Sequence, residues 1–309
     1  MVQIRRLPDE LQNVAAKELG EVESRIPEDL QALKTWIKQQ PHLKARTDDQ
    51  LLIQFLRGCK YSLEKAKNKL DLYYSLKTKY PQMFNPTDVD SPKFREVHNL
   101  ALYTPLPKPL FENEARIWVC QLNYSADHYH IEDMYHPSSA MFELSLLNDP
   151  FAGVHGIILI FDYSKVTYGH LAQFTPNFLK RVVSFLENSM PFRIRAAYFT
   201  HVPSFAQLSM KLILSLVSEK IRKRLFILGS DIKELSQHIP LEYLPMEYGG
   251  KNGSMKQVTQ DYHKVFDEYR EYFKENANYG TDETKRPGKP LDLDGLFGVG
   301  GSFRKLDVD

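Results

Sequence analysis

Cysteine is nearly absent from this chain of 309 residues, with Cys59 and Cys120 the only two. They lie far apart and lack His or Cys partners at metal-ligand spacing. That excludes a disulfide framework and a zinc module, and it fits a reducing compartment. An excess of charge of either sign is missing as well, since Lys+Arg number 40 against Asp+Glu 39. Such a balance gives no footprint for nucleic acid, so any electrostatic function must come from local clusters. No stretch approaches the roughly 18 uninterrupted apolar residues of a membrane span, and the start, MVQIRRLPDELQ, has no apolar run after its arginines. The expectation is a cytoplasmic monomer, neither secreted by a signal peptide nor integral to a membrane.

Catalytic signatures are missing too: no GxxxxGK[ST], no GxGxxG after a strand, no GxSxG and no HExxH. Neither enzymatic activity nor a cofactor is expected. The densest titratable cluster, DHYHIED, places His128, His130, Glu132 and Asp133 together with His136 nearby. A polar loop ahead of a helix collects such residues chiefly as caps and solvated surface, so no metal is expected there. Asp162 ends an apolar run where α/β enzymes place catalytic groups, yet it has no evident partner and reads as a turn cap.

What the chain does have is an ordinary globular composition, 42% hydrophobic and 26% charged, at a length that suits two unequal domains. From Pro27, Leu30, Leu33 and Ile37 share one helical face until Pro41. Thr47 opens a second helix at capping-box spacing to Gln50, and Ser62 can cap a third that Pro81 ends. Residues 1–85 therefore read as a small helical domain. Beyond Pro92 short β-branched and aromatic runs alternate with helical stretches: RIWVCQL, GIILIFDYS, AAYFTHV and RLFILG, separated by helical patterns at Pro137–Leu147, Leu171–Leu186 and Phe205–Val217. That rhythm predicts an α/β domain with a mainly parallel sheet over 86–276. Residues 277–309, rich in Gly, Pro and charge, are expected to form a flexible tail without secondary structure, carrying an apolar patch at Leu296 and Phe297.

Four blocks carry more specific information: QFLRGCKYSLEKA in the helical region, PFRIRAAYFTHVPSFAQL, SEKIRKRLFILG, and LPMEYGG near residue 250. In this order, from about residue 27 to 275, they closely resemble the CRAL-TRIO family, which includes carriers of tocopherol and retinaldehyde; the ending GSFRKLDVD is similar to the tails of arthropod members. The resemblance implies an amino-terminal helical bundle packed on a lipid-binding domain, with a sheet flooring an apolar cavity under a mobile gate helix.

The residues can be read against those implications. On a helical wheel Phe205, Leu208, Met210, Leu212, Ile213, Leu214, Leu216 and Val217 cover an arc of roughly 240°, leaving a strip of Gln207, Lys211 and Ser215. An ordinary surface helix shows an apolar face of little more than ~100°. Such a segment is either buried on nearly all sides or faces a ligand on one side and lipid on the other. The resemblance favours the second, with Leu212, Ile213 and Leu216 as membrane contacts. It also implies that Arg193, Arg195, Lys220 and Arg224 hold phosphoinositide phosphates, although basic runs are usually plain solvated surface. Cys59 stands where a family member has a basic residue of that patch. The implied pocket comprises Phe142, Ser145, Ile157, Phe161, Val182, Phe185 and Phe192, with Phe205, Leu208 and Leu212 of the gate; each alone would pass as a core residue. Their aromatic content favours a ring-bearing or conjugated ligand.

The resulting expectation is a carrier for a retinoid, carotenoid, tocopherol or similar lipid, exchanging it at phosphoinositide-containing membranes with which it associates transiently. The alternative is a phosphoinositide-binding trafficking adaptor or lipid-regulated scaffold on the same fold.

Overall fold

The computed structural model describes residues 2–293, so Leu296, Phe297 and the ending GSFRKLDVD lie outside the described residues. Three helices dominate the amino-terminal region: α1 (Ile26–Lys38), α2 (Asp49–Gly58) and α3 (Leu63–Lys79). Leu30, Leu33 and Ile37 of α1 are buried as their spacing requires. The expected Thr47 capping box does not form, because the helix starts one residue later and Asp48 occupies the N-cap.

A five-stranded sheet follows, in the order β1 (Tyr103–Pro105), β2 (Arg116–Gln121), β3 (Ile157–Asp162), β4 (Ile194–Thr200) and β5 (Leu225–Ile227). The first pair is antiparallel and the others parallel. Both faces are covered, as parallel strands demand. Leu159, Ala197 and Phe199 join one apolar cluster, whereas Ile117, Val119, Ile158, Ile160 and Tyr198 join another. The first cluster runs without interruption from α1 and α2 to the sheet, so the helical region and the sheet region share one core.

On that face lie α4 (Ile131–Asn148), α5 (Pro176–Val183), α6 (Gln207–Leu216) and the short α7 (Glu219–Arg222), while α8 (Met255–Glu268) lies later in the chain. Two boundaries differ from the sequence reading. Helix α4 begins at Ile131, with His130 as N-cap, and carries Pro137 inside it rather than at its start. The stretch Leu171–Leu186 is split into Tyr168–Gln173 and α5, because Pro176 starts a new helix capped by Thr175.

The expected flexible tail is ordered over its first part. Gly280–Thr281 pairs antiparallel with Leu43–Lys44, Arg286 donates to both carboxylate oxygens of Asp71 and of Glu283, and Leu293 is buried. Non-local ion pairing holds a segment whose composition alone would leave it loose.

Candidate functional site

The strand period of two turns Leu159 and Phe161 of β3, and Ala197 and Phe199 of β4, toward the same side of the sheet. There they floor a cavity of ≈ 120 Å³. Phe161 and Phe199 are register partners and their rings stack at 4.7 Å. Helix α4 contributes Ile131 and Tyr135 from successive turns, α5 contributes Phe178, Leu179 and Val182, and the gate side contributes Ile213 and Val217. The wall is almost wholly apolar. Its polar features are few: the hydroxyls of Tyr103 and Tyr135 lie 3.1 Å apart, Glu187 borders it at one side, and Asp162 is tied back by Tyr248, Gln121 and the Ser164 amide, all of which donate to it. Burial would raise the Asp162 pKa, but these donors more than offset it and hold the carboxyl below its usual range. Burial pushes the thiol of Cys120 and the phenols of Tyr103 and Tyr135 up, so all three stay neutral.

Of the residues singled out in the sequence, Phe161, Asp162, Val182, Ile213 and Val217 line this cavity. Phe142 stacks on Trp118 and Phe185 on Phe84, both in the core outside the cavity wall. Ile157 is buried at the start of β3, two residues short of Leu159. Phe192 borders a basic cleft instead, and Ser145 borders a separate groove near Arg116 and Tyr262. Sequence reasoning passed over Tyr103, Tyr135, Phe174, Phe178 and Phe199; the alternation that marks Phe161 marks Phe199 equally.

Helix α6 is not buried on all sides. Met210 is its buried residue, Leu212, Ile213 and Leu216 are half-buried, and Leu208 is 79% exposed. Phe205 stacks on Tyr168 at 4.3 Å, and Tyr168 is itself 73% exposed. Helix α6 thus presents the apolar side chain of Leu208 outward.

Behind the cavity wall, Arg193, Arg195, Lys220 and Arg224 converge on a cleft of ≈ 630 Å³. Lys220 enters it from α7, and Arg224 from the turn between α7 and β5, where its guanidinium donates to the Ile194 carbonyl. Arg222 instead donates to the Leu214 carbonyl of α6, and Lys223 pairs with Glu219. Three lysines of the helical region, Lys60, Lys65 and Lys69, complete the cleft beside Cys59. The basic residue expected at position 59 is thus not the only cation the helical region can bring. The two regions touch closely here, since a side chain on Gly58 would meet the Pro191 carbonyl oxygen at 1.9 Å; within the sheet region, one on Gly156, at φ +92°, would meet the Arg193 carbonyl oxygen at 2.1 Å. Arg193 Nε and Nη2 are buried without hydrogen-bond partners. Burial, with Arg195 and Arg224 nearby, pushes the Arg193 pKa down to about 10. Lys69, donating to the Glu187 and Met190 carbonyls, is pushed by burial to about 8. Cations that outnumber the anions beside them, here Glu187 on the cleft wall and Glu18 at 3.8 Å from Arg195, suit phosphate oxygens.

The histidine cluster spends its groups on structure. His130 accepts from the Glu132 amide at the start of α4, Glu132 pairs with Arg181 and Asp133 with Lys93. No helix among the described residues is long and apolar enough to cross a membrane.

Fold and site together define a lipid-binding class of protein. The chain belongs to the CRAL-TRIO family: residues 113–250 match the CRAL/TRIO domain and residues 22–94 the Pinta-like UBA domain. Human alpha-tocopherol transfer protein-like is 28% identical over 254 residues, covering 82% of this chain and 73% of that one. Mouse clavesin-2 is 26% identical over 283 residues, covering 90% and 84%. The crystal structure of Sfh5 superposes with a TM-score of 0.51 at 15% identity, over 82% of this chain and 92% of that one, and so shares the fold.

Proposed function

We propose that this chain carries one hydrophobic small molecule in the cavity beneath α6 and exchanges it at membranes that display phosphoinositides. The observation that carries this reading is a shared wall: Ile194, Ile221 and Glu187 border both the apolar cavity and the basic cleft. A headgroup held on one side of that wall acts on the side chains that close the other. The similarity to alpha-tocopherol transfer protein-like supports a tocopherol-like cargo. The stacked Phe161–Phe199 pair suits a ring or conjugated chain, and the Tyr103–Tyr135 hydroxyls suit a single oxygen on it.

The cavity of ≈ 120 Å³ is smaller than the roughly 300–1,000 Å³ that encloses a drug-sized ligand. Loading therefore requires the half-exposed gate to move outward, which its outward apolar side chains can do against lipid at little cost. The chemistry asked of the chain is binding and release, with no bond made or broken. Vesicle-to-vesicle transfer of retinol, β-carotene or α-tocopherol tests the reading. Saturable transfer of one of them, faster when acceptor vesicles contain phosphatidylinositol bisphosphate, is the expected result. Absence of saturable transfer for all three would set the carrier reading aside in favour of an adaptor.

A further inference from the structure

Glu187 occupies a place in the structure that neither the cavity nor the cleft explains by itself. It sits in a π-helical turn, Ser184–Ser189, that continues α5, and it is the one carboxylate among the described residues that line the basic cleft. Its backbone carbonyl accepts from Lys69, at 2.8 Å. Its side-chain Oε2 accepts from the amide of Ser218, at 3.2 Å.

Ser218 joins α6 to α7. It follows Val217, the extended C-cap residue of α6, and its hydroxyl caps α7 by accepting from Ile221, at 3.3 Å. Two and six residues further on, Lys220 and Arg224 enter the cleft. One short segment therefore carries the end of the gate, the bond to Glu187 and half of the cations first assigned to the cleft.

Resting on the phosphate reading of that cleft, we propose that Glu187 is the latch by which a bound phosphate group releases the gate. In the resting chain its carboxylate serves as a counter-anion within the cleft, acting on Lys69 while Glu18 faces Arg195 at 3.8 Å, and from that position it holds the Ser218 amide. A multiply phosphorylated headgroup competes for the same cations and repels the carboxylate. Glu187 then turns away from the cleft, Ser218 loses its acceptor, and the α6–α7 hinge is free to open over the cavity. Linkage makes the effect reciprocal: removing the carboxylate must both loosen the gate and tighten phosphate binding. A residue of purely structural importance would do the first without the second.

The test uses the full chain and two phosphate sources, soluble inositol 1,4,5-trisphosphate and phosphatidylcholine vesicles containing phosphatidylinositol 4,5-bisphosphate. Calorimetry reads binding, and amide hydrogen exchange of residues 207–222 reads the gate. In the parent, trisphosphate should bind and speed exchange across α6 on the order of three- to tenfold, the range that one lost hydrogen bond supplies. Glu187→Ala should exchange fast without phosphate, respond little to it, and bind trisphosphate several-fold more tightly. Glu187→Gln, which keeps an acceptor for Ser218 and removes the charge, should also bind more tightly while its gate stays slow and responds less than the parent's. Parental binding and response in both variants would overturn the latch while leaving the cleft intact. So would loosening by vesicles but not by soluble trisphosphate, which would assign the response to bilayer contact. If the parent binds neither source, the cleft reading itself falls and the latch falls with it.

Discussion

Lys77 Nζ lies 3.0 Å from Glu143 Oε2, and both side chains are 2% exposed. The pair joins α3 of the helical region to α4 above the sheet. Burial would raise the Glu143 pKa, but Lys77 and the Tyr272 hydroxyl more than offset it and keep the carboxyl low. Burial lowers Lys77 in turn, with Glu143 opposing. Removing one partner strands the other's charge, so Lys77→Met should lose about 3–5 kcal/mol of stability. The double variant Lys77→Met with Glu143→Leu should lose clearly less than the single. Guanidinium unfolding of the three proteins measures this, and equal losses in single and double variants would contradict it.

Acid sensitivity should have a contribution from His98. Its Nε2 donates to the Thr259 carbonyl, 2.8 Å away, and burial pushes its pKa down to about 4. The unfolded chain titrates the same group near 6.5. Between those values the unfolded state holds more protons, so stability is complete above about 6.5 and declines as pH falls toward 4, by at most about 1.4 kcal/mol per pH unit. Urea midpoints from pH 7 to 4 should fall less steeply for His98→Gln than for the parent; parallel slopes would remove His98 from the account.

The gate's outward face should be separable from folding. Leu208 is 79% exposed, so Leu208→Asp should change stability by no more than about 0.5 kcal/mol. Inserting the same charge into a bilayer costs on the order of a few kcal/mol, and vesicle association should weaken accordingly. Circular dichroism with vesicle sedimentation decides; loss of fold would mean the face is packed, and unchanged sedimentation would mean that lipid does not meet it.

In the cleft, Arg195→Ala with Lys220→Ala removes two exposed cations. Charge-assisted contacts are worth about 1.5–3 kcal/mol each, so binding to bisphosphate-containing vesicles at moderate salt should weaken well over tenfold while cargo loading persists. Parental affinity would reassign these residues to ordinary surface.

Much of this was legible in the sequence, for physical reasons that also mark the limits. The β2 and β3 runs read as strands because both sheet faces are covered and their apolar residues are nearly continuous, while Phe161 was singled out through the family resemblance. Lys220 and Arg224 were singled out by the family resemblance, since a basic run alone reads as solvated surface. The edge strand Tyr103–Pro105 was not, because its proline and brevity suppress a strand signal. Tyr103 and Tyr135 were passed over because a tyrosine carries no sign of whether its hydroxyl finds a partner inside. Ser145 and Phe192 fell outside the cavity because a carried-over correspondence fixes the element but not the rotation of its side chains. The Arg286 clamp on Asp71 and the Glu187–Ser218 bond join residues far apart in the chain, and no local pattern announces either.

Native mass spectrometry of the chain purified from its own source tests the central claim most directly. The account predicts a one-to-one complex with a hydrophobic organic molecule, and a higher unfolding temperature for the loaded form than for protein stripped of it. Protein that carries no such molecule, and that takes up no retinoid, carotenoid, tocopherol or phosphatidylinositol when these are offered, would contradict it.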